Sequence, residues 1–464
     1  MNDHATQTEI SNLNLSIALI QVVNPSSISA MNKDLNGGFG TKDHYGKSLA
    51  SRILMFLKKK GVRLPIISLA HLQAIFKERG CSVKYYEGSS PVKDEKFDLI
   101  LVYGSIVDYS NEIKQARDLK KQFPDAKVGF IGPFPSVHPD IFCGADFVLT
   151  GEPEAFFMNE FKNTDELNGI VRIRSIVDMD ALPSPDFDGF PISKYSYKPL
   201  INKTPFLVLQ GSKGCPYSCR FYCVYGEVQG PKIRQRSAKK IADDIQILQK
   251  KYSIKGVQFR DPLFGVTKNF IDEFTGELKQ RNIKLTWGIE TRLDLLNEEN
   301  LTAMYNVGLR NINVGIETSD DAIAKINKRL LVKESHQSKI VAFCKKKGIN
   351  VSAFYILGLE GDTEKTMMDT LNYAISLNTY TAKFTISTPY PGTGYYTQLS
   401  KEGRLLTQDY ELYDQYTLVY KQDHLTPMEI DEFMSKAYKK YYFRLSYIWM
   451  FLKWQIRNLY LRAA

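Results

Sequence analysis

From residue 65 onward, short apolar runs alternate with stretches of helical period, and that alternation confines the chain to an α/β fold with parallel strands. A strand over residues 16–25 opens the series. Pro65 leads into a helix that stops at Gly80, and strands follow over 81–86, 98–105, 127–133 and 146–152, with a helix over 111–123. The spacing predicts a Rossmann-like, doubly wound domain over residues 1–160. Its strand ends carry Gly104-Ser105, Gly132-Pro133 and Gly151-Glu152, small residues where sheets of this kind admit ligands. The glycine-rich stretch Asn36–Ser48 lacks the spacing of a nucleotide-binding loop and reads as flexible. Residues 161–204, with many Pro, Asp and Ser residues and no sustained period, read as a linker.

A second series begins at Pro205. Strands over 205–212, 256–264, 284–292, 311–318, 349–363 and 382–394, separated by helical segments, predict six parallel strands of a partial barrel spanning 205–395. Six strands leave a lateral opening. Residues 396–464 read as a helical C-terminal region.

The first barrel strand ends in GSKGCPYSCRFYCVYG, which holds Cys215, Cys219 and Cys223, three of the six cysteines in the chain. Thiolates gathered this closely in a cysteine-poor chain point to metal, and three ligands leave one iron of a four-iron cluster open for a small molecule. Structural zinc needs a fourth ligand, and the next histidine downstream is the distant His336. The plainer readings are three buried thiols or a degenerate site.

The loop resembles the cluster loop of radical S-adenosylmethionine (SAM) enzymes, in which three cysteines hold a 4Fe-4S cluster and SAM chelates the fourth iron. The family spacing is three residues and then two; here it is three and three, so Phe221 or Tyr222 is an extra residue. Val128–Glu154 resembles the second half of the cobalamin-binding domain that precedes the barrel in one large class of these enzymes. The resemblance implies a cobalamin site at Gly104, Ser105, Gly132, Pro133, Val137, Gly151 and Glu152. No protein histidine would sit on cobalt, since the Asp-x-His-x-x-Gly signature is absent and His71 and His138 lie outside any such motif. In the barrel it implies that Glu317 in GIET and Arg292 contact SAM, that Tyr222 and Gly358 lie against the cofactor, and that Tyr390 faces the substrate as a catalytic aromatic. Arg260 replaces one of two acidic residues the family places before Phe264.

The implied reaction is methyl transfer from methylcobalamin to an unactivated carbon of a lipid, pigment or other secondary metabolite, with a flavodoxin- or ferredoxin-type electron donor. The alternatives are a radical cyclase or oxidoreductase, or a non-catalytic cobalamin- or membrane-binding protein. Six cysteines without a disulfide framework or secretory signal fit a reducing cytoplasm. No apolar run reaches the length of a membrane span. The formal charge of +10 suits an anionic partner, although a solvated lysine-rich surface accounts for it too. After Asp431-Glu432 the chain carries no acid, and its basic, aromatic tail has the makeup of an interfacial helix at the inner face of a membrane. Docking of this helix on the barrel is the competing expectation. Nucleic acid ranks below both, because no RNA-binding module accompanies the tail.

Overall fold

The structure is a computed structural model that describes residues 12–24, 31–142 and 144–463; the first eleven residues, and Pro25 at the end of the expected first strand, lie outside them. The chain forms two compact units, one of Met1–Ser26 and Ile66–Pro191, the other of Ser27–Pro65 and Ile192–Ala464.

The first unit is a parallel sheet of β1 (Ser16–Gln21), β2 (Ser82–Glu87), β3 (Leu99–Tyr103), β4 (Lys127–Ile131), β5 (Phe147–Thr150) and β6 (Gly169–Arg172), in the order β2-β1-β3-β4-β5-β6. Every residue of β3 is buried, as a central strand covered on both faces requires. The chain reverses direction of growth between β1 and β3, where doubly wound sheets bind ligands. Strand β6 falls inside the segment that reads as a linker. It is an edge strand with Gly169, Ile170 and Arg172 exposed, so it carries no apolar run to announce it.

The second unit is built on β7 (Phe206–Leu209), β8 (Gly256–Phe259), β9 (Thr286–Thr291), β10 (Leu309–Glu317), β11 (Asn350–Leu357) and β12 (Thr381–Ile386), all parallel and in sequential order. This is the six-stranded partial barrel that the periodicity predicts. The helices Ala238–Tyr252, Lys268–Gln280, Glu298–Asn306 and Glu364–Leu377 each start at a side-chain cap, from Ser237, Thr267, Asn297 and Thr363 respectively. Trp287 anchors the layer between strands and helices, edge-on to Phe259 and Phe274. The C-terminal helices Pro427–Tyr442 and Leu445–Ala463 complete the unit. The first of them covers β12, where the Tyr438 hydroxyl donates to the Phe384 carbonyl at 3.0 Å.

Residues 27–65 return to this second unit instead of staying with the first, so the boundaries expected at 160 and 204 do not describe how the chain is divided. The stretch over Asn36–Ser48 is packed where the sequence reads as flexible. Phe39, Thr41 and Asp43 are buried, and a Cβ on Gly46 (φ 90°) would lie 1.8 Å from Ser435 Oγ. The helix Leu49–Gly61 follows, capped by Ser48, and Val62–Arg63 then pairs antiparallel with Ser196–Tyr197. Glycine composition hid this order, because it comes from contacts distant in sequence.

Candidate active site

The barrel is hollow. Closed eight-stranded barrels fill their interior with side chains, whereas this one encloses a cavity of about 800 Å³ lined by the inward rows of its strands. Ser352, Phe354 and Ile356 of β11 and Thr381, Lys383 and Thr385 of β12 alternate into it, as the two-residue period of a strand dictates. At the carboxyl ends of the strands it reaches Cys215, Cys219, Cys223, Tyr217 and Tyr222. Elsewhere it meets the surface at Ile53 and Leu57 of the helix Leu49–Gly61 and at Ile448 and Leu452 of the helix Leu445–Ala463. All four are exposed and also line the cavity.

The cysteine loop absorbs its extra residue in a helical turn. The amides of Tyr222 and Cys223 both donate to the Cys219 carbonyl, at 3.1 and 2.9 Å. Cys219 and Cys223 are therefore four residues apart on one turn, and that spacing sets both thiols on the same side. Tyr222 turns to the cavity; Phe221 packs 5.3 Å from the Tyr395 ring with Lys328 above it at 4.1 Å. The three thiols are free of disulfides. Burial pushes the Cys215 and Cys223 thiols up, and Arg292 and Arg329 pull Cys215 back down. Among the described residues no three His, Cys, Asp or Glu side chains are gathered tightly enough for one metal ion. A four-iron cluster takes each sulfur on a different iron, so its ligands stand wider than a single ion's shell. Three free thiols reaching one cavity are the donor set that a four-iron cluster with one open iron takes.

Around the thiols lie the ionic groups a zwitterionic ligand needs. Glu317 ends β10 after a bulge, with φ at 72°, a left-handed conformation that costs a non-glycine residue energy and concentrates at functional sites. Burial raises its carboxyl, and Arg329 and Arg292 oppose that rise. Arg329 lies 3.8 Å from Glu317 and donates to the Gly315 carbonyl at 2.6 Å, with Cys219 Sγ 3.9 Å away. Nothing in the sequence around Asn327–Leu330 marks Arg329 as a site residue. Arg292 is clamped by Asp294 at 3.0 Å and stands over the Tyr217 ring at 4.4 Å. Its Nη1 is buried with no hydrogen-bond partner among the described residues, as is Arg329 Nε. Two orphaned cationic donors lining the same cavity are what a bound carboxylate would satisfy.

Arg260, in the place of a family acid, holds acids instead: it donates to Asp34 at 2.8 Å and to Glu290. Glu290 also accepts from Asn313 at 3.2 Å, and Asn313 donates to the Tyr197 hydroxyl at 2.8 Å. Tyr390 lines the cavity edge-on to Phe39. Gly358 does not line it. Its φ of 67° turns the chain after β11, and its carbonyl accepts from Tyr420.

In the first unit the predicted cobalamin residues share one rim at the ends of β3, β4 and β5. The Ser105 side chain is fully buried and bonded to Glu112 at 2.7 Å, and Glu152 accepts from the Val177 amide at 2.7 Å, so both are committed to holding loops. Gly104 and Gly132 are buried, and a Cβ on Gly104 would lie 2.4 Å from Pro135 Cγ. Pro133, Val137 and Gly151 remain reachable, a rim poor in side chains that suits a broad ligand laid against backbone. His71 is buried, with Nδ1 3.1 Å from the Pro183 carbonyl oxygen.

Residues 209–374 match the model of the radical SAM superfamily. The chain is 29% identical to an uncharacterized methyltransferase of Pyrococcus horikoshii over 64% of its own length and 68% of that protein. It is 26% identical to the anaerobic magnesium-protoporphyrin IX monomethyl ester cyclase of Rubrivivax gelatinosus over 62% of its length, spanning about half (51%) of the cyclase. Its fold is that of the radical SAM methyltransferase TsrM from Kitasatospora setae, a structure with cobalamin and a [4Fe-4S] cluster bound. The two share a TM-score of 0.59 at 14% identity, over 84% of this chain and 78% of TsrM.

Proposed function

We propose that the chain is a cobalamin-dependent radical SAM methyltransferase acting on an unactivated carbon of a largely apolar small molecule. The observation that carries this reading is the convergence of Cys215, Cys219 and Cys223 with the unpartnered donors of Arg292 and Arg329 on one cavity. When loaded, a 4Fe-4S cluster with SAM supplies hydrogen abstraction and methylcobalamin supplies the methyl group. The chain's own residues bind and orient. The three thiolates hold the cluster, Arg292 takes the SAM carboxylate, and Glu317, kept in place by Arg329, accepts from the SAM amino or hydroxyl groups. Buried walls at Tyr390, Ile386 and Leu263 exclude water from the reacting carbon. The cobalamin assignment to the first unit rests on its strand order, its rim and the likeness to TsrM. A flavodoxin- or ferredoxin-type protein is the electron donor in this reading.

The test is anaerobic purification and reconstitution, followed by metal analysis and incubation with methyl-deuterated SAM and extracts of candidate lipids and pigments. Methyl transfer predicts iron and cobalt in the protein and a product heavier by a deuterated methyl group. Cyclisation or oxidation, the second reading, is favoured by the likeness to the Rubrivivax cyclase and predicts deoxyadenosine without methylated product.

Peripheral membrane contact belongs to the same proposal. Among the described residues no helix is long and apolar enough to cross a membrane. The helices that frame the cavity mouth expose Leu49, Ile53, Phe56 and Leu57 on one and Ile448, Trp449, Leu452 and Ile456 on the other, beside Lys59, Lys60 and Lys453. Exposed apolar residues flanked by lysines suit an anionic bilayer surface. Flotation with anionic liposomes tests it: removing the last helix should abolish binding, and unchanged binding would refute the contact.

A further inference from the structure

Lys383 differs from the other basic side chains that line the cavity away from its surface. Lys58 pairs with Asp43 at 2.6 Å, Arg260 with Asp34 at 2.8 Å and with Glu290, Arg292 with Asp294 at 3.0 Å, and Arg329 with Glu317 at 3.8 Å. No ion pair reaches Lys383 among the described residues. Among the described residues its ammonium meets only the neutral Gln415 Oε1, at 3.2 Å, and it lies 5.7 Å from the centre of the Tyr416 ring. Its strand turns it inward between Thr381 and Thr385, which line the same space.

Three charged groups face it: Lys58 from the helix Leu49–Gly61, Asp43 from the segment before that helix, and Arg260 from the end of β8. Desolvation, then the two cations, push its amine down to about 7, with Asp43 opposing. A cation removed from water without a counter-ion is expensive, and a ligand that brings the counter-ion relieves that cost. The mouth at Ile53, Leu57, Ile448 and Leu452 is apolar, so the ligand's remainder is apolar too.

We propose that Lys383 anchors a carboxylate of an amphipathic substrate whose apolar body extends through the cavity toward the mouth framed by Leu57 and Leu452. This names the substrate class of the site proposed above and rests on the cavity being its substrate chamber. Because the anchoring form is the ammonium, binding is linked to protonation. A carboxylate that remains ionised across the neutral range loses about tenfold in affinity per pH unit once the free amine has titrated.

The experiment uses the full, reconstituted chain and two probes of equal length, dodecanoate and dodecan-1-ol, titrated by calorimetry between about pH 6.5 and 8.5. Wild type should bind dodecanoate more tightly than the alcohol at the acid end, by about tenfold or more for a charge-assisted contact. That preference should fade as the pH rises. Lys383→Met should keep the alcohol affinity, which shows that the cavity is intact, and lose both the preference and its pH dependence. Lys383→Arg, a cation that does not titrate in this range, should keep the preference and flatten the profile. Equal affinity for the two probes, a preference that survives in Lys383→Met, or no binding of either probe would overturn the proposal. Iron content and SAM cleavage are read on the same sample. Full iron and cleavage without carboxylate preference would overturn the anchoring role alone, and absent iron with the preference intact would overturn only the radical SAM reading.

Discussion

Asp34 and Arg260 stand 226 residues apart in the chain and meet at 2.8 Å inside the second unit. The bond ties the returning N-terminal segment to the end of β8, and Glu290 from β9 shares the same guanidinium. Replacing Arg260 by Met takes away the cation that Asp34 and Glu290 share, a loss of about 3–5 kcal/mol for a broken buried pair. Asp34→Asn should cost less, because Glu290 still neutralises the arginine. Chemical denaturation of the three proteins checks the order, and equal stability of Arg260→Met and wild type would show that the network contributes nothing.

Cys215, Cys219 and Cys223 face one cavity, while Cys81 and Cys344 are buried elsewhere. Alanine at any of the first three should remove nearly all iron and the visible absorption of the reconstituted protein. Alanine at Cys81 or Cys344 should leave the iron content unchanged. Iron analysis per chain decides between cluster ligands and incidental thiols.

Arg292→Met removes an orphaned donor and leaves the three thiols in place, with Arg329 still lowering Cys215. SAM affinity should fall about tenfold to a hundredfold, the worth of a hydrogen bond to a charged group, while iron content holds. Glu317→Gln should weaken SAM binding by a similar factor. Equilibrium dialysis against labelled SAM measures both, and unchanged affinity in either variant removes that residue from the proposed site.

Asp261 is fully buried and accepts from the Gly211 amide at 2.7 Å and from the Ser212 hydroxyl at 2.8 Å. Burial raises its carboxyl to about 7 against an ordinary value of 3.8, and those hydrogen bonds oppose the rise. The folded protein therefore holds this proton more tightly than the unfolded chain. Its contribution to stability is full below the ordinary carboxyl range and is lost as pH climbs to about 7, a change of up to about 4 kcal/mol. Melting temperatures across that window should decline more steeply in wild type than in Asp261→Asn, and parallel curves would refute the assignment.

The strands and the cysteine loop were legible because their signals are local: apolar runs such as Leu99–Tyr103, and thiols at close spacing. Strand β6 escaped because an exposed edge needs no apolar pattern. The packed stretch over Asn36–Ser48 escaped because glycine and asparagine are permissive in isolation and its order depends on Ser435 and Tyr416. Lys383 alternates with Ala382 and Phe384 as a solvent-facing residue would. Only a hollow barrel makes its side interior, and hollowness is a property of the whole fold. Gly358, which by resemblance either lies against the cofactor or forms a turn, ends β11 in a turn that Tyr420 closes.

The segment that carries Asp43 is synthesised 373 residues before Tyr416, which donates to it at 2.7 Å. At about 5–20 residues per second, it waits roughly 20–75 s on the ribosome for its partner. Throughout that interval Leu49–Gly61 is a nascent amphipathic helix with no docking place, while the sheet that follows it in the chain can already condense. A segment translated long after this helix thus decides when the helix can stop being a target for proteases and chaperones.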